Sequence, residues 1–478
     1  MAPTTMIWLT FASYMVLLLG IGWWGDRRFG GTYQGFVTAN KSLGAWVTAV
    51  SSAASSESAW VMLGLSGLGY KQGVAAYWAA LGCILGRVVT AIWVVVQLRR
   101  SSSQYKVSTL ADYYEGVLGD PKKIVRGLSS LLIVFFMVVY VVAQFVATGK
   151  QMEGMGLLDY RTGVMAGAAI IGIYVLLGGY AAVCWTDLIQ GLLMAMVLLV
   201  FPIMALVKAG GVGPVHEVLS ANNIDGFWAG GQGLTWAALG FAVGQLGIGI
   251  GYPGMPHAII RFVTVRDDKA ARGAAVITVG WSTVVLLGAV TLGIAGRTLM
   301  PDLDDPEKIL PAFTATYFHP VIGGVILAAI SAAIMSTADS QLIMAATSAV
   351  HDLWYGILGK TPPESERTQV IQTRVVVGLL ALTAMSLALI EPRVIYTFVL
   401  FAWGALGASF TPVTLLTLYW KGMTWHGAAA SFVAGPATVI IWKLLPASLS
   451  GSLYELIPGV IISVIAAVHF SRKSRLDS

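Results

Sequence analysis

The sequence predicts an all-α polytopic membrane protein, and three observations carry that prediction. Of 478 residues, 57% are hydrophobic and only 11% charged, against roughly 25% charged in an ordinary soluble domain. Mean hydropathy is +0.77. Apolar runs of the roughly 20 residues that a spanning helix needs, such as Thr4 to Trp24 and Ala75 to Leu98, recur between short polar stretches. An outer-membrane barrel would alternate along segments of about ten residues, and nothing here does.

Splitting the chain at charged, Gly-rich and Pro-containing breaks gives about thirteen spans. They begin near Thr4, Leu43, Ala75, Gly127, Val164, Val183, Leu234, Ala274, Val321, Val375, Val394, Gly427 and Leu453. The chain starts MAPTTMIWL, which lacks a basic region, and no small-residue cleavage site follows its apolar run, so the first span reads as a retained helix. With the N-terminus outside and the C-terminus inside, the cytoplasmic loops take most of the 29 basic residues, among them Arg27, Arg28, Arg99, Arg100, Lys106, Lys122, Lys123, Arg261, Arg266, Lys360, Arg472 and Lys473. Lys71, Arg161, Arg297, Lys308 and Arg393 fall outside. That asymmetry satisfies the positive-inside rule. It also accounts for the net charge of +6 without a nucleic-acid partner. Membrane lipid is the expected surrounding, and no obligate protein partner is evident. Cys83 and Cys184 lie in apolar context and read as small core residues.

Two spans carry residues that helix interiors avoid. The second reads SLGAWVTAVSSAASSESAWVMLGLSG, with a polar cluster from Ser51 to Ser58, and the seventh reads GQLGIGIGYPGMPHAIIRF. Each is a predicted helix break. Lying five spans apart, they occupy corresponding places in two five-helix halves, as in an inverted-repeat transporter; close helix packing at small residues is the alternative.

Ionisable residues at membrane depth mark function by default. Glu57 lies in the first break, Asp187 in CWTDLIQG of the sixth span and Asp339 in IMSTADSQL of the ninth. Arg87, Lys150, Lys443 and Glu455 fall nearer span ends and read as interfacial anchors. In the ninth span Ser336, Thr337 and Ser340 share a helix face at i,i+3 and i,i+4 spacing. Their hydroxyls, with backbone carbonyls freed around Ala54 and Glu57, are hard ligands suited to a small hard cation; back-bonding to their own helix is the alternative. Asp187 either caps the sixth helix or approaches Ser340 and Asp339 to make a second cation position. Enzymatic motifs are missing: there is no HExxH, GxSxG or Walker A pattern, and the glycines of GIGIGYPG follow no strand. The chain does not read as an enzyme.

In this order and spacing, AASSESAW, WTDLIQ, GYPGMPHAIIRF, MSTADSQL and the terminal LYELIPGVI resemble the sodium/solute symporter family, most nearly its bacterial sodium/proline symporters. The resemblance runs over nearly the whole chain. It implies a LeuT-type core of two inverted five-helix repeats, 42–208 and, with an outer loop, 209–419, preceded by an extra helix and loop in 1–41 and followed by two extra helices in 420–478. It places a sodium site on the backbone carbonyls of Ala54, Glu57 and Ala333 and the hydroxyls of Ser336 and Thr337, with Asp187 at a further sodium position that some members use and Ser340 beside it. It places the substrate pocket on Ser58, Ala59, Tyr140, Ile248, Tyr252 and Pro256, with the Glu57 side chain available to the solute. The chain departs from proline symporters at Ile248, where they have Trp, at Ala59, where they have Gly, and at Ser56 and Glu57, where they have Asp-Met. A proline substrate therefore does not follow from the resemblance. The expected function is sodium-driven import of a small polar organic solute, an amino acid or related amine, across a bacterial inner membrane by alternating access. Proton coupling through Glu57 and a transporter-like solute sensor remain the alternatives.

Overall fold

The computed structural model describes residues 2–29, 32–105, 107–177, 179–228, 233–390, 394–446 and 453–476. Lys106 and Arg393 of the charge-asymmetry argument, and the side chain of Arg28, lie outside this description. The described residues are almost wholly helical, the one β-feature among them being an isolated parallel bridge between Leu43 and Val265.

In chain order the helices are α1 (Pro3–Phe29), α2 (Tyr33–Thr38), α3 (Ala45–Ala59), α4 (Ser66–Gln72), α5 (Tyr77–Val89), α6 (Val95–Ser102), α7 (Leu110–Leu118), α8 (Ile124–Gly154), α9 (Tyr160–Leu177) and α10 (Tyr180–Lys208). They continue with α11 (Val212–Ala221), α12 (Trp236–Gly247), α13 (Pro256–Thr264), α14 (Asp268–Leu299), α15 (Ile309–Tyr317), α16 (Pro320–Thr347), α17 (Glu366–Ile390), α18 (Ile395–Tyr419), α19 (Trp425–Leu444) and α20 (Leu456–Leu476). Among the described residues, 10 helical stretches are long and apolar enough to cross a membrane. One of these stretches, Ala45–Ser102, holds both the second and the third predicted spans; they are divided at Gly73 (φ 56, ψ −132) and fold back so that Arg87 meets Glu57 at 3.1 Å. The protein is a polytopic α-helical membrane protein.

Both predicted breaks are present, and each has a local cause. The α3 helix runs through the polar cluster and kinks at one residue, Ser58 (φ 29, ψ −168), before a π-helical turn over Trp60–Leu65. Positive φ is strained for a residue with a Cβ, so packing holds it. In the seventh span α12 ends at Gly247, a 3₁₀ stretch covers Ile248–Gly254 with Pro253 inside it, and Pro256 opens α13 at a position where its missing N–H costs nothing. Leu43 N donates to Thr264 O at 3.4 Å and Arg266 N to Leu43 O at 3.0 Å, so the entry to one broken span is stitched to the exit of the other.

The centre of the molecule is α3 and α16. Every residue of α3 from Val47 to Ala59 is buried, and α16 packs against α8, α10, α3 and α1. The α5 helix meets the second break backbone to backbone: a Cβ on Gly86 would stand 2.2 Å from the carbonyl oxygen of Gly249. This contact brings Arg87, the next residue, against the broken segments.

Candidate functional site

The kink at Ser58 releases the carbonyl of Ser55 from its helical partner. In an unbroken helix Ala59 N–H would bond the carbonyl of Ser55; here it points to Gln144 Oε1 at 3.3 Å. The Ser55 carbonyl instead accepts from His257 Nε2 at 3.1 Å and from Thr337 Oγ1 at 3.0 Å. Thr337 Oγ1 also lies 3.2 Å from Ala333 O and 3.5 Å from Ala54 O, and Ser336 Oγ 3.3 Å and 3.4 Å from the same two carbonyls. Four of the five expected sodium ligands thus converge, joined by Ser55, which sequence reasoning did not name. The fifth, the carbonyl of Glu57, accepts from Trp60 N–H. Neutral hydroxyl and carbonyl oxygens from two helices make a donor set that fits a small hard cation.

Asp187 and Ser340 are also brought together, with a residue between them that was expected in a loop. Arg261, 1% exposed, donates from Nη2 to Asp187 Oδ2 at 3.1 Å and to Ser55 Oγ at 2.9 Å, and also to Ser340 Oγ. Its Nε reaches Ser51 Oγ at 3.0 Å, and Ser51 in turn donates to Asp187 Oδ2 at 2.6 Å. The loop assignment of Arg261 is therefore corrected: α13 carries the guanidinium inward, where Asp187 is its counter-ion. Among the described residues, Asp187 Oδ1 and Asp339 Oδ2 are buried without a hydrogen-bond partner.

Of the residues expected at the substrate pocket, Ser58 and Tyr140 meet directly, and Ile248 and Tyr252 both meet Trp403. Ser58 Oγ lies 3.3 Å from Tyr140 OH, and Trp403 Nε1 donates to the carbonyl of Ile248 at 3.0 Å. The Trp403 ring meets Tyr252 edge to face at 4.7 Å, an aromatic wall beside the position where Ile248 stands for Trp. Ala59 and Pro256 are buried with them. Glu57 is saturated by donors: Arg87 Nε and Nη2 at 3.2 and 3.1 Å and Ser282 Oγ at 3.1 Å on Oε1, and Tyr252 OH at 3.0 Å on Oε2. The Arg87 guanidinium also sits 4.4 Å from the Tyr252 ring centroid.

Arg87, 1% exposed, is therefore no interfacial anchor. Nor is Lys150, which is buried and pairs with Glu307 at 2.6 Å and Asp305 at 2.8 Å. The same Glu307 carboxylate accepts the N–H groups of Ile395 and Tyr396 at 2.9 Å each, closing the start of α18. Sequence reasoning also missed Gln144, His257, Ser282 and Trp403. Gln144 had a readable signal, one helical turn beyond Tyr140.

A discontinuous pair of helices meeting hard oxygen ligands in the middle of a helical membrane protein defines a secondary transporter, not an enzyme. Residues 36–435 match the model of the Sodium:solute symporter family, and the chain belongs to that family. A sodium/proline symporter of Staphylococcus aureus is 34% identical over 484 aligned residues, covering 98% of this chain and 93% of that protein. Among solved structures, a substrate-bound, outward-open Na⁺-coupled sialic acid symporter, described as having a novel Na⁺ site, superposes with a TM-score of 0.79 at 19% identity, covering 98% of both chains. MhsT in complex with L-phenylalanine superposes with a TM-score of 0.57 at 16% identity, covering 90% of this chain and 99% of that one. At these identities both structures speak for the fold alone.

Proposed function

We propose that this protein is a sodium-coupled symporter that imports a small polar organic solute, an amino acid of proline-like size or a related amine, across a bacterial inner membrane by alternating access. The observation that carries the reading is the meeting of the Ser336 and Thr337 hydroxyls with the Ala54 carbonyl, and of Thr337 with the Ser55 carbonyl that the kink at Ser58 sets free. Sodium is held there by Ala54, Ala333, Ser336 and Thr337, with the Glu57 carbonyl turning toward the ion as the site forms. The solute binds among Ser58, Ala59, Tyr140, Ile248, Tyr252 and Pro256, beside the Glu57–Arg87 pair. About thirteen spans with the N-terminus outside and the C-terminus inside, built on repeats at 42–208 and 209–419, suit this cycle; the stitch between Leu43 and Val265 supports the pairing of the two breaks.

One observation favours a second ion. Arg261 pairs with Asp187 and, through Ser340 Oγ, reaches Asp339, so two buried carboxylates meet one guanidinium in this network, and among the described residues each keeps an unpartnered oxygen. A monovalent cation, sodium or a proton, at Asp187 and Ser340 balances that charge. Proton carriage by Glu57 finds less support, because its carboxylate is already engaged by Arg87, Ser282 and Tyr252.

Uptake by purified protein in liposomes, with sodium and pH gradients imposed separately across a panel of amino acids and amines, tests the reading. Sodium should drive accumulation. In Ser336→Ala and Thr337→Ala the sodium concentration for half-maximal uptake should rise at least several-fold, since a lost ligand to a charge costs about 1.5–3 kcal/mol. An unchanged sodium requirement in both variants overturns the site.

A further inference from the structure

Beyond the central breaks, the end of α16 gathers a second group of charges. A π-helical stretch, Ser348–Ile357, continues α16 and sets His351 and Asp352 opposite α7 and the first turn of α8. Asp112 closes the capping box of α7: its Oδ2 accepts the N–H groups of Ser108 and Thr109 at 3.1 and 3.3 Å. The same oxygen lies 3.1 Å from His351 Nε2. Burial pushes the Asp112 carboxyl up, but the hydrogen bond and charge of His351, with Arg126 and Ser108 N–H, hold it below the usual carboxylate range. Arg126 Nη2 contacts Asp112 Oδ1 and lies 3.0 Å from Asp352 Oδ1, while its Nη1 lies 3.1 Å from Glu115 Oε2. Thr109 Oγ1 also donates to Asp352 Oδ1, at 2.9 Å.

Two features of this group are unfinished. Three carboxylates, Asp112, Glu115 and Asp352, face one guanidinium, so among the described residues the group holds an excess of negative charge whether His351 is neutral or protonated. Asp352 is fully buried, yet its Oδ2 has no hydrogen-bond partner among the described residues, a state that costs free energy unless something fills it. Arg126 occupies Oδ1 of both Asp112 and Asp352, which leaves the Oδ2 of Asp352 open and the Oδ2 of Asp112 turned to His351. One ligand atom from each of Asp112, His351 and Asp352 lies within 4.8 Å of the others.

We propose that Asp112, His351 and Asp352 bind one divalent transition-metal ion of the zinc type, and that the bound ion slows transport by pinning this end of α16 to α7. One imidazole nitrogen with two carboxylate oxygens and no thiolate is a donor set for zinc or its first-row neighbours; calcium and magnesium prefer oxygen alone. The ion takes the place of the hydrogen now between His351 Nε2 and Asp112 Oδ2 and accepts Asp352 Oδ2 as its third protein ligand, with water completing the shell. Arg126 keeps the other oxygens and so orients both carboxylates. The consequence for transport follows from α16 itself, which carries Ser336, Thr337 and Ser340. A cavity of about 30 Å³ lies between, lined by Thr109 and Ser348 and by Ser340 and Arg261. Metal binding stands without the symporter reading; the slowing rests on it.

The test titrates the purified full-length protein in detergent with zinc chloride by calorimetry. One ion per chain should bind, and His351→Gln and Asp352→Asn should each weaken binding at least tenfold. His351→Gln keeps a donor toward Asp112, and melting curves confirm that both variants fold. Asp112 is left alone because its loss would also open the α7 cap. No zinc binding, or binding that both folded variants retain, overturns the site. In liposomes, zinc should slow sodium-driven uptake several-fold in the wild type and leave His351→Gln unaffected; equal slowing in both, or none in either, overturns the effect on transport. Should no solute be taken up at all, the titration still decides the site.

Discussion

Neutralising Glu57 alone strands the Arg87 guanidinium in a dry core, and neutralising Arg87 alone strands the carboxylate. Breaking one side of a buried pair costs about 3–5 kcal/mol, so Glu57→Gln and Arg87→Gln should each lower the melting temperature of the detergent-solubilised protein sharply. The double variant should recover part of the loss, because no unpaired charge remains. Melting curves for the four proteins measure this, and additive losses would mean that the two groups do not interact in the folded state. Glu57 was legible in the sequence because a carboxylate in the middle of an apolar run calls for a partner. Its partner was not. Arg87 lies toward the end of its run, where a long side chain ordinarily reaches water, and what turns it inward is the bare glycine face of α5, a property of two helices in contact. Arg261 was misplaced for a related reason. PHAIIRF reads as a span ending in a basic loop, whereas the 3₁₀ stretch before Pro256 shifts the register and carries the arginine inside.

At the scale of elements, both breaks were legible in composition, since clustered Ser and Gly-Pro runs oppose a continuous helix. What composition could not give is the position of the first break, a single strained residue at the end of the polar cluster, or the close turn at Gly73 between the second and third predicted spans. The contact between α5 and the second break makes a sharp prediction. Gly86→Ala would push a methyl carbon to 2.2 Å from Gly249 O, backbone against backbone. Neither helix can yield without moving Arg87 from Glu57, so this variant should lose most of its folded yield. Gly280→Ala on α14 is the matched control: a Cβ there meets nothing within 4 Å, and a helix gains up to about 1 kcal/mol from alanine over glycine. Size-exclusion profiles of the two variants should therefore diverge, with Gly280→Ala at or above the wild-type yield. Similar profiles would mean that the close approach of α5 and the 3₁₀ stretch is not a feature of the folded protein.

Across the whole molecule, the proposed ion and solute sites are two sides of one kink. Ala54 and Ser55 offer carbonyls on the α16 side, while Ser58 and Ala59, three and four residues on, face Tyr140 and Gln144 of α8. An ion that gathers the carbonyls fixes the dihedrals of Ser58, and a solute held between Ser58 and Tyr140 fixes them as well. Each ligand therefore orders what the other needs, and the coupling must be reciprocal for equilibrium affinities. The expected outcome is that sodium tightens solute binding by some factor and that solute tightens sodium binding by the same factor, commonly 5- to 150-fold for about 1–3 kcal/mol of coupling. Calorimetric titrations in both orders measure it. Gln144→Ala provides the structural control, because it frees the Ala59 N–H that now points away from Ser55 O. If that N–H returns to the Ser55 carbonyl, the kink relaxes toward a regular helix, and both affinities should fall while the coupling between them shrinks. A solute affinity indifferent to sodium in the wild type would separate the two sites and remove the kink as their link.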